Sequence, residues 1–128
     1  MSFEYWLESD LKLGRENIRD ISYQLGIEVS ACGEDIELYF NSSNMIVRCK
    51  FPNETEDQIK SEETGGLEFK VGCRCVFELN TEQYEQKMND MECFLKSVYN
   101  QTQALFVVSF QLESLHYLNN GNGVEKRI

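Results

Sequence analysis

The sequence predicts a single α+β domain in which an antiparallel β-sheet of five to six strands carries two helices packed on one face. Three observations predict it. Across residues 67–79, Leu67, Phe69, Val71, Cys73, Cys75, Phe77 and Leu79 alternate with Glu68, Lys70, Gly72, Arg74, Val76 and Glu78, the period-two signature of a half-buried strand. Alternation this clean belongs to an antiparallel sheet, because parallel strands are buried on both faces and read as continuous apolar runs. Two other segments repeat their apolar residues at helical spacing, and short clusters of Gly, Asn, Asp and Ser supply hairpin turns between the remaining strands.

Taken in order, Phe3, Tyr5 and Leu7 alternate, so the chain opens on a strand, with Trp6 on the opposite parity. Arg15 to Leu25 follows as a helix, its stripe formed by Ile18, Ile21 and Leu25 and its end marked by Gly26, which accepts the left-handed terminating conformation without steric cost. Strands are expected at Ile27 to Ala31, Ile36 to Asn41 and Met45 to Phe51. Cys32-Gly33-Glu34-Asp35 and Asn41-Ser42-Ser43-Asn44 join them with tight-turn chemistry, which predicts a meander of hairpins. Pro52 to Gly66 breaks the regularity with Glu54, Glu56, Asp57, Glu62 and Glu63 against Lys60 alone, and reads as a long acidic loop. After the strand over 67–79, Asn80 is placed to cap a helix over about 81–100, with Gln83 completing a capping box and Tyr84, Met88, Met91, Leu95 and Val98 on one stripe. A last strand spans Leu105 to Leu118. Residues 1–118 thus form the domain, and 119–128, rich in Asn and Gly at first, read as a flexible tail.

Bulk composition bounds the function. The chain has 128 residues, enough for one core, and its 41% hydrophobic and 12% aromatic residues supply the apolar area that separates an acidic globule from a disordered acidic chain. Twenty-two Asp and Glu face 12 Lys and Arg, a formal net charge of -10. Such a field repels nucleic-acid phosphates and anionic membranes and speeds encounter with basic partners. Direct binding of nucleic acid or membrane is therefore not expected. No stretch approaches the roughly 20 apolar residues of a spanning helix, and Glu4 stands where a secretory leader carries Lys or Arg. A cytoplasmic location is the expectation. Five cysteines, Cys32, Cys49, Cys73, Cys75 and Cys93, cannot all pair, and in a reducing compartment they read as thiols packed as small hydrophobes.

No catalytic constellation emerges. The sole histidine, His116, would have to serve any Cys-His or Ser-His pair, yet no cysteine lies in a nucleophile signature, so the chain reads as a non-enzyme. Cys73 and Cys75 share a strand face, but zinc sites prefer wider ligand spacing and need two more Cys or His, so core packing is the stronger reading. Asn53-Glu54-Thr55-Glu56-Asp57 lacks the glycine and terminal glutamate of a calcium loop, and neither Gly65-Gly66 nor Gly121-Asn122-Gly123 leads into a phosphate-binding helix. Neither metal nor cofactor is expected. What remains is charge. Glu54, Glu56, Asp57, Glu62 and Glu63 of the loop, with Glu82 and Glu85 at the start of the second helix, are the candidate partner-binding residues, joined in principle by Glu34, Asp35, Asp90 and Glu92 in one negative patch. Phe51, Tyr39, Tyr84, Tyr99 and Trp6 are the aromatic anchors available beside it.

A short acidic chain with an antiparallel sheet, two helices and the acidic elements Glu54-Thr55-Glu56-Asp57, Glu62-Glu63 and Glu82 to Glu92 resembles the bacterial immunity proteins that neutralise contact-dependent or secreted toxins. The resemblance implies a basic toxin domain as partner, commonly a nuclease and first of all an RNase, blocked at its active site or an adjoining surface by a monomeric inhibitor. The element order also resembles the acidic secretion chaperones, which act as homodimers on effector segments, although those close with a further strand and helix where this chain carries Asn and Gly. An enzyme, or an inhibitor of nucleic-acid machinery that mimics phosphate, ranks behind both.

Overall fold

The computed structural model describes residues 2–127. In chain order the elements are β1 (Ser2–Ser9), α1 (Arg15–Leu25), β2 (Glu28–Cys32), β3 (Asp35–Phe40), β4 (Met45–Lys50), β5 (Cys73–Asn80), α2 (Tyr84–Thr102), β6 (Phe106–Phe110), β7 (Ser114–Asn119) and β8 (Val124–Lys126). They build an α+β domain around one eight-stranded sheet in the order β2-β3-β4-β5-β1-β6-β7-β8, and every neighbouring pair runs antiparallel. The strand count exceeds the expected five to six for two local reasons. Gln111 and Leu112 both adopt positive φ, 51° and 64°, and turn the segment 105–118 back on itself as the β6–β7 hairpin. The segment read as a frayed tail buries Asn119 and adds β8 to the edge of the sheet.

The opening strand, the first helix and the meander form where the spacing places them. Gly26 ends α1 at φ 71°, with its own amide on Tyr23 O and the Ile27 amide on Ser22 O, the paired bonds of a Schellman terminator. Gly33 turns β2 into β3 at φ 64°, with Cys32 opposite Asp35. α2 starts later than the capping box implies. Asn80 Oδ1 accepts the Glu82 amide, but Gln83 takes the left-handed conformation at φ 52°, so the helix begins at Tyr84.

Both helices lie on one face of the sheet and close the main core. Tyr5, Leu7, Leu38, Val47, Phe77 and Val108 point up from the strands; Ile18 and Ile21 of α1 and Met91, Phe94, Leu95 and Val98 of α2 point down. Phe94 sits centrally, its ring 6.2 Å from Phe40 and 5.9 Å from Phe77 in edge-to-face contacts. Cys49, Cys73 and Cys75 are buried in this layer, as their strand parity requires.

The opposite face explains where the expected strand over 67–79 departs from the structure. Only Cys73–Asn80 joins the ladder; residues 67–72 belong to a strap that leaves β4 at its end and lies across the sheet. Leu67, Phe69 and Val71 still alternate inward, because a segment lying flat on a sheet also has a wet and a dry side. Gly72 is where the strap re-enters β5. Its amide bonds Ser9 O at 2.8 Å, and a Cβ there would stand 2.8 Å from both Asp10 O and Leu11 Cα. Backbone cannot yield as a flexible side chain does, so Gly72→Ala is expected to cost about 2 kcal/mol. A denaturant midpoint unchanged from the parent protein would show that the β1–α1 loop moves aside freely.

Candidate functional site: an acidic strap clamped to the sheet

The strap is held by a buried ion pair. Glu8 of β1 is 0% exposed and Arg74 of β5 4% exposed, and their side chains meet at 2.9 Å between Arg74 Nε and Glu8 Oε2. The same carboxylate accepts the amides of Lys60 at 2.7 Å and Ser61 at 2.9 Å. Arg74 turns the rest of its guanidinium to the strap, donating Nη1–H to Glu56 O at 2.7 Å and Nη2–H to Gln58 O. Two charges taken out of water are costly unless every lone pair and proton is used. Here each guanidinium nitrogen donates once and both carboxylate oxygens accept, with the strap backbone supplying four of the partners.

Further ties run along its length. Val71 donates to Asp57 O at 2.7 Å, Glu62 to Leu112 O at 2.8 Å, and Leu115 to the Glu63 carboxylate at 2.7 Å. Ile59 and Leu67 pack on Val107, Leu115 and Leu118 as a second, smaller apolar cluster. Since both are only half-buried, each contributes roughly 1 kcal/mol, and with the buried Val71 they add non-directional contact to the directional polar clamp. Gly65, at φ 62°, passes so close to the cluster that a Cβ would come within 3.0 Å of Leu118.

The clamp leaves Glu54, Glu56 and Glu62 exposed on a fixed backbone, while Asp57 is half-buried and Glu63, though exposed, spends one oxygen on Leu115. Glu82 and Glu85 are exposed as well, but they flank the start of α2 on the other side of the sheet. Strap and α2 carboxylates thus form two groups, one per face. Glu92 is drawn further inward. Burial pushes its carboxyl up, but hydrogen bonds from Tyr117 at 2.5 Å and Lys126 at 3.2 Å outweigh that and leave it below the usual range.

Among the aromatic anchors, Phe51 is half-buried under the Arg15 guanidinium at 4.4 Å, Tyr39 donates to Asn44 at 2.5 Å, Tyr99 is half-buried and Tyr84 is 38% exposed. Trp6 is half-buried on the strap side, sharing the parity of Glu8.

His116 occupies a β-bulge. Val108 pairs with Tyr117 and Ser109 with Leu115, leaving His116 as the extra residue, a device that re-aims a side chain. Its ring stands edge-on to Tyr5 and Phe110 at 5.1 and 5.7 Å. Nε2 lies 3.2 Å from Ser114 Oγ, and buried Nδ1 has no partner among the described residues, so no third group orients the ring as a catalytic triad requires. Burial lowers its pKa from the ordinary value, against a smaller upward pull from Glu63. Burial, reinforced by Tyr84, pushes Tyr5 up to about 12.

The thiols of the core cluster tightly, with Cys75 Sγ 3.2 Å from Cys49 and 3.6 Å from Cys73. Hydrogen bonding to Cys49 and Cys73, then burial, raises Cys75 well above its ordinary value; for Cys49 the Cys75 hydrogen bond pulls down, but burial with Cys73 and Asp35 outweighs it. Both are held as thiols. Among the described residues no group of three or more His, Cys, Asp and Glu is arranged to hold a metal ion, and no helix is long and apolar enough to cross a membrane.

Glu8 and Arg74 are the residues that sequence reading misses, since Arg74 sits at a position whose parity reads as the wet face. A basic residue at the centre of a strand, with an acidic loop ending a few residues upstream, is the one signal available. No protein-family model matches the chain, and no curated protein or solved structure matches it either. Fold and site define an α+β domain that carries a rigid acidic strap on the sheet face its helices leave free.

Proposed function

We propose that this protein is an immunity-type inhibitor, acting in the cytosol, that binds a basic toxin domain, with an RNase as the first candidate, and blocks its active site or an adjacent surface. The observation that carries the proposal is the clamp. Glu54, Glu56 and Glu62 stand on a backbone fixed by Glu8 and Arg74, so they meet a cationic surface with little ordering cost, and preorganised opposite charge gives fast, selective association. A buried ion pair between two strands, its remaining hydrogen bonds spent on the strap, is an expensive way to hold a solvated segment that has no partner. Seven carboxylates were candidates; an interface of about 800 Å² per side centred on the strap leaves Glu82 and Glu85 beyond the sheet.

The test is direct. Co-expression with a toxin encoded beside its gene should abolish toxicity, and the purified pair should run as a one-to-one complex whose association slows as salt rises. Toxicity undiminished by co-expression would defeat the proposal.

The homodimeric chaperone reading draws support from one feature, the β2 edge. All five β2 residues are exposed, and its sequence Glu28-Val29-Ser30-Ala31-Cys32 has no Lys or Pro to block pairing, whereas β8 at the far edge has three residues and is charged. A stable dimer of the isolated protein by sedimentation, lost on Ala31→Pro, would favour that reading over the immunity one.

A further inference from the structure

We propose that the cleft between the end of α1 and the middle of α2 is a binding site for one alkylammonium or alkylguanidinium group, the shared chemistry of lysine and arginine side chains and of free alkyl amines. The site is separate from the strap and does not rest on the function proposed for it. The cleft has a volume of about 350 Å³; Leu25, Ile27 and Phe40 wall it, Ser42 and Asp90 supply polar atoms, and Cys93 lies at its lining. A volume in that range with apolar walls and a few convergent polar groups is the ordinary form of a small-ligand site.

Two independent sources make it negative. Asp90 is held by neutral donors, Ser42 Oγ at 2.7 Å on one oxygen and Gln86 Nε2 at 3.3 Å on the other, and no Lys, Arg or His among the described residues pairs with it. Its orientation is fixed and its charge uncompensated. The second source is the C-terminal end of α1. The terminator bonds engage the carbonyls of Ser22 and Tyr23, those of Gln24 and Leu25 find no donor among the described residues, and the last turn carries no basic residue. The negative end of the helix dipole therefore faces the cleft unbalanced. On the same helix, Glu92 does have a cation, Lys126 at 3.2 Å.

An anion is repelled from this cleft, and a wholly apolar ligand would strip water from Asp90 with nothing in return. A cation on a short methylene stem satisfies both requirements, since the stem lies along Leu25, Ile27 and Phe40 while the head reaches Asp90.

Titration of the labelled full chain with n-butylguanidinium, followed by amide chemical shifts, should give saturable changes at Gly26, Ile27 and Ser42 and slow alkylation of Cys93 relative to Cys32. Asp90→Asn keeps the Ser42 and Gln86 contacts and should weaken binding about tenfold, the worth of one charge-assisted contact. Neutral n-butylurea should not bind. Absence of saturable shifts up to about 20 mM, a range that captures millimolar affinity, overturns the site, as does equal binding by Asp90→Asn or by butylurea. N-acetyl-arginine amide binding as well as butylguanidinium assigns the site to a protein side chain; its failure beside successful butylguanidinium binding assigns it to a free amine, and either result upholds the cation site.

Discussion

Arg74→Met is expected to lower stability by about 3 kcal/mol, the lower end of the range for breaking a buried pair, and to release the strap. The figure falls at that end because Glu8 keeps two of its three donors, the amides of Lys60 and Ser61. What is lost is the charge partner of a carboxylate with no exposure, together with the donors that hold Glu56 O and Gln58 O. For a domain of this size the melting temperature should fall by roughly 10 °C, and protease should then cut between residues 53 and 71 before the domain unfolds. Arg74→Lys should rescue little, since one ammonium cannot serve a carboxylate and two carbonyls in fork geometry. Glu8→Gln added to Arg74→Met should recover part of the loss, because the neutral amide needs no cation. The recovery is limited because its single carbonyl oxygen can accept from only one of the Lys60 and Ser61 amides, which the two oxygens of Glu8 receive separately. A melting temperature within about 2 °C of the parent for Arg74→Met would show that the apolar contacts of Ile59 and Leu67 hold the strap by themselves.

Reversing charge on the strap should slow capture of the toxin far more than reversing it on α2. Glu54→Lys with Glu62→Lys and Glu82→Lys with Glu85→Lys each remove two negative charges and add two positive ones, taking the formal net charge from -10 to -6, so the overall field is matched. Only position differs. Both strap residues are exposed and carry no structural hydrogen bond from their side chains, unlike Glu63, which is left intact because it holds the Leu115 amide. The strap pair should reduce the association rate at low salt by at least about tenfold, within the range that steering supplies. The α2 pair should change it by no more than the shared shift in net charge produces. Equal slowing by the two pairs would remove the strap from the interface, and a larger effect of the α2 pair would move the interface to the helix side.

These residues also show how far the sequence could be read. Gly26 and Gly33 announce themselves because a positive φ is cheap only for glycine, and both terminate their elements where expected. Gln111 and Leu112 make a turn from residues with no turn chemistry, paid for by the pairing of β6 with β7, so the last hairpin reads as one strand. The alternation over 67–79 is real throughout, but period two records a dry side and a wet side and says nothing about whether the dry side meets a ladder or lies across a sheet. Arg74 shows the same ambiguity, since a charged side chain at a wet-face parity is buried once another segment covers that face. The candidate carboxylates are legible as a composition; their division between two faces is not, because it depends on which face the helices take. The cleft draws Leu25, then Phe40 with Ser42, then Asp90 from three separate stretches of chain, and no local pattern connects them.

The place of β1 carries a cost during synthesis. Ser9 has Cys73 on one side and Phe106 on the other, so β1 is made well before either of the strands it pairs with. Until β5 has emerged, an apolar ribbon bearing Tyr5 and Leu7 has nothing to pair with, and until β6 follows one of its edges stays open. Nascent chains of this protein therefore pass through an interval in which β1 needs shielding from other chains, and a truncation ending before Phe106 would strand the middle of the sheet, not its margin.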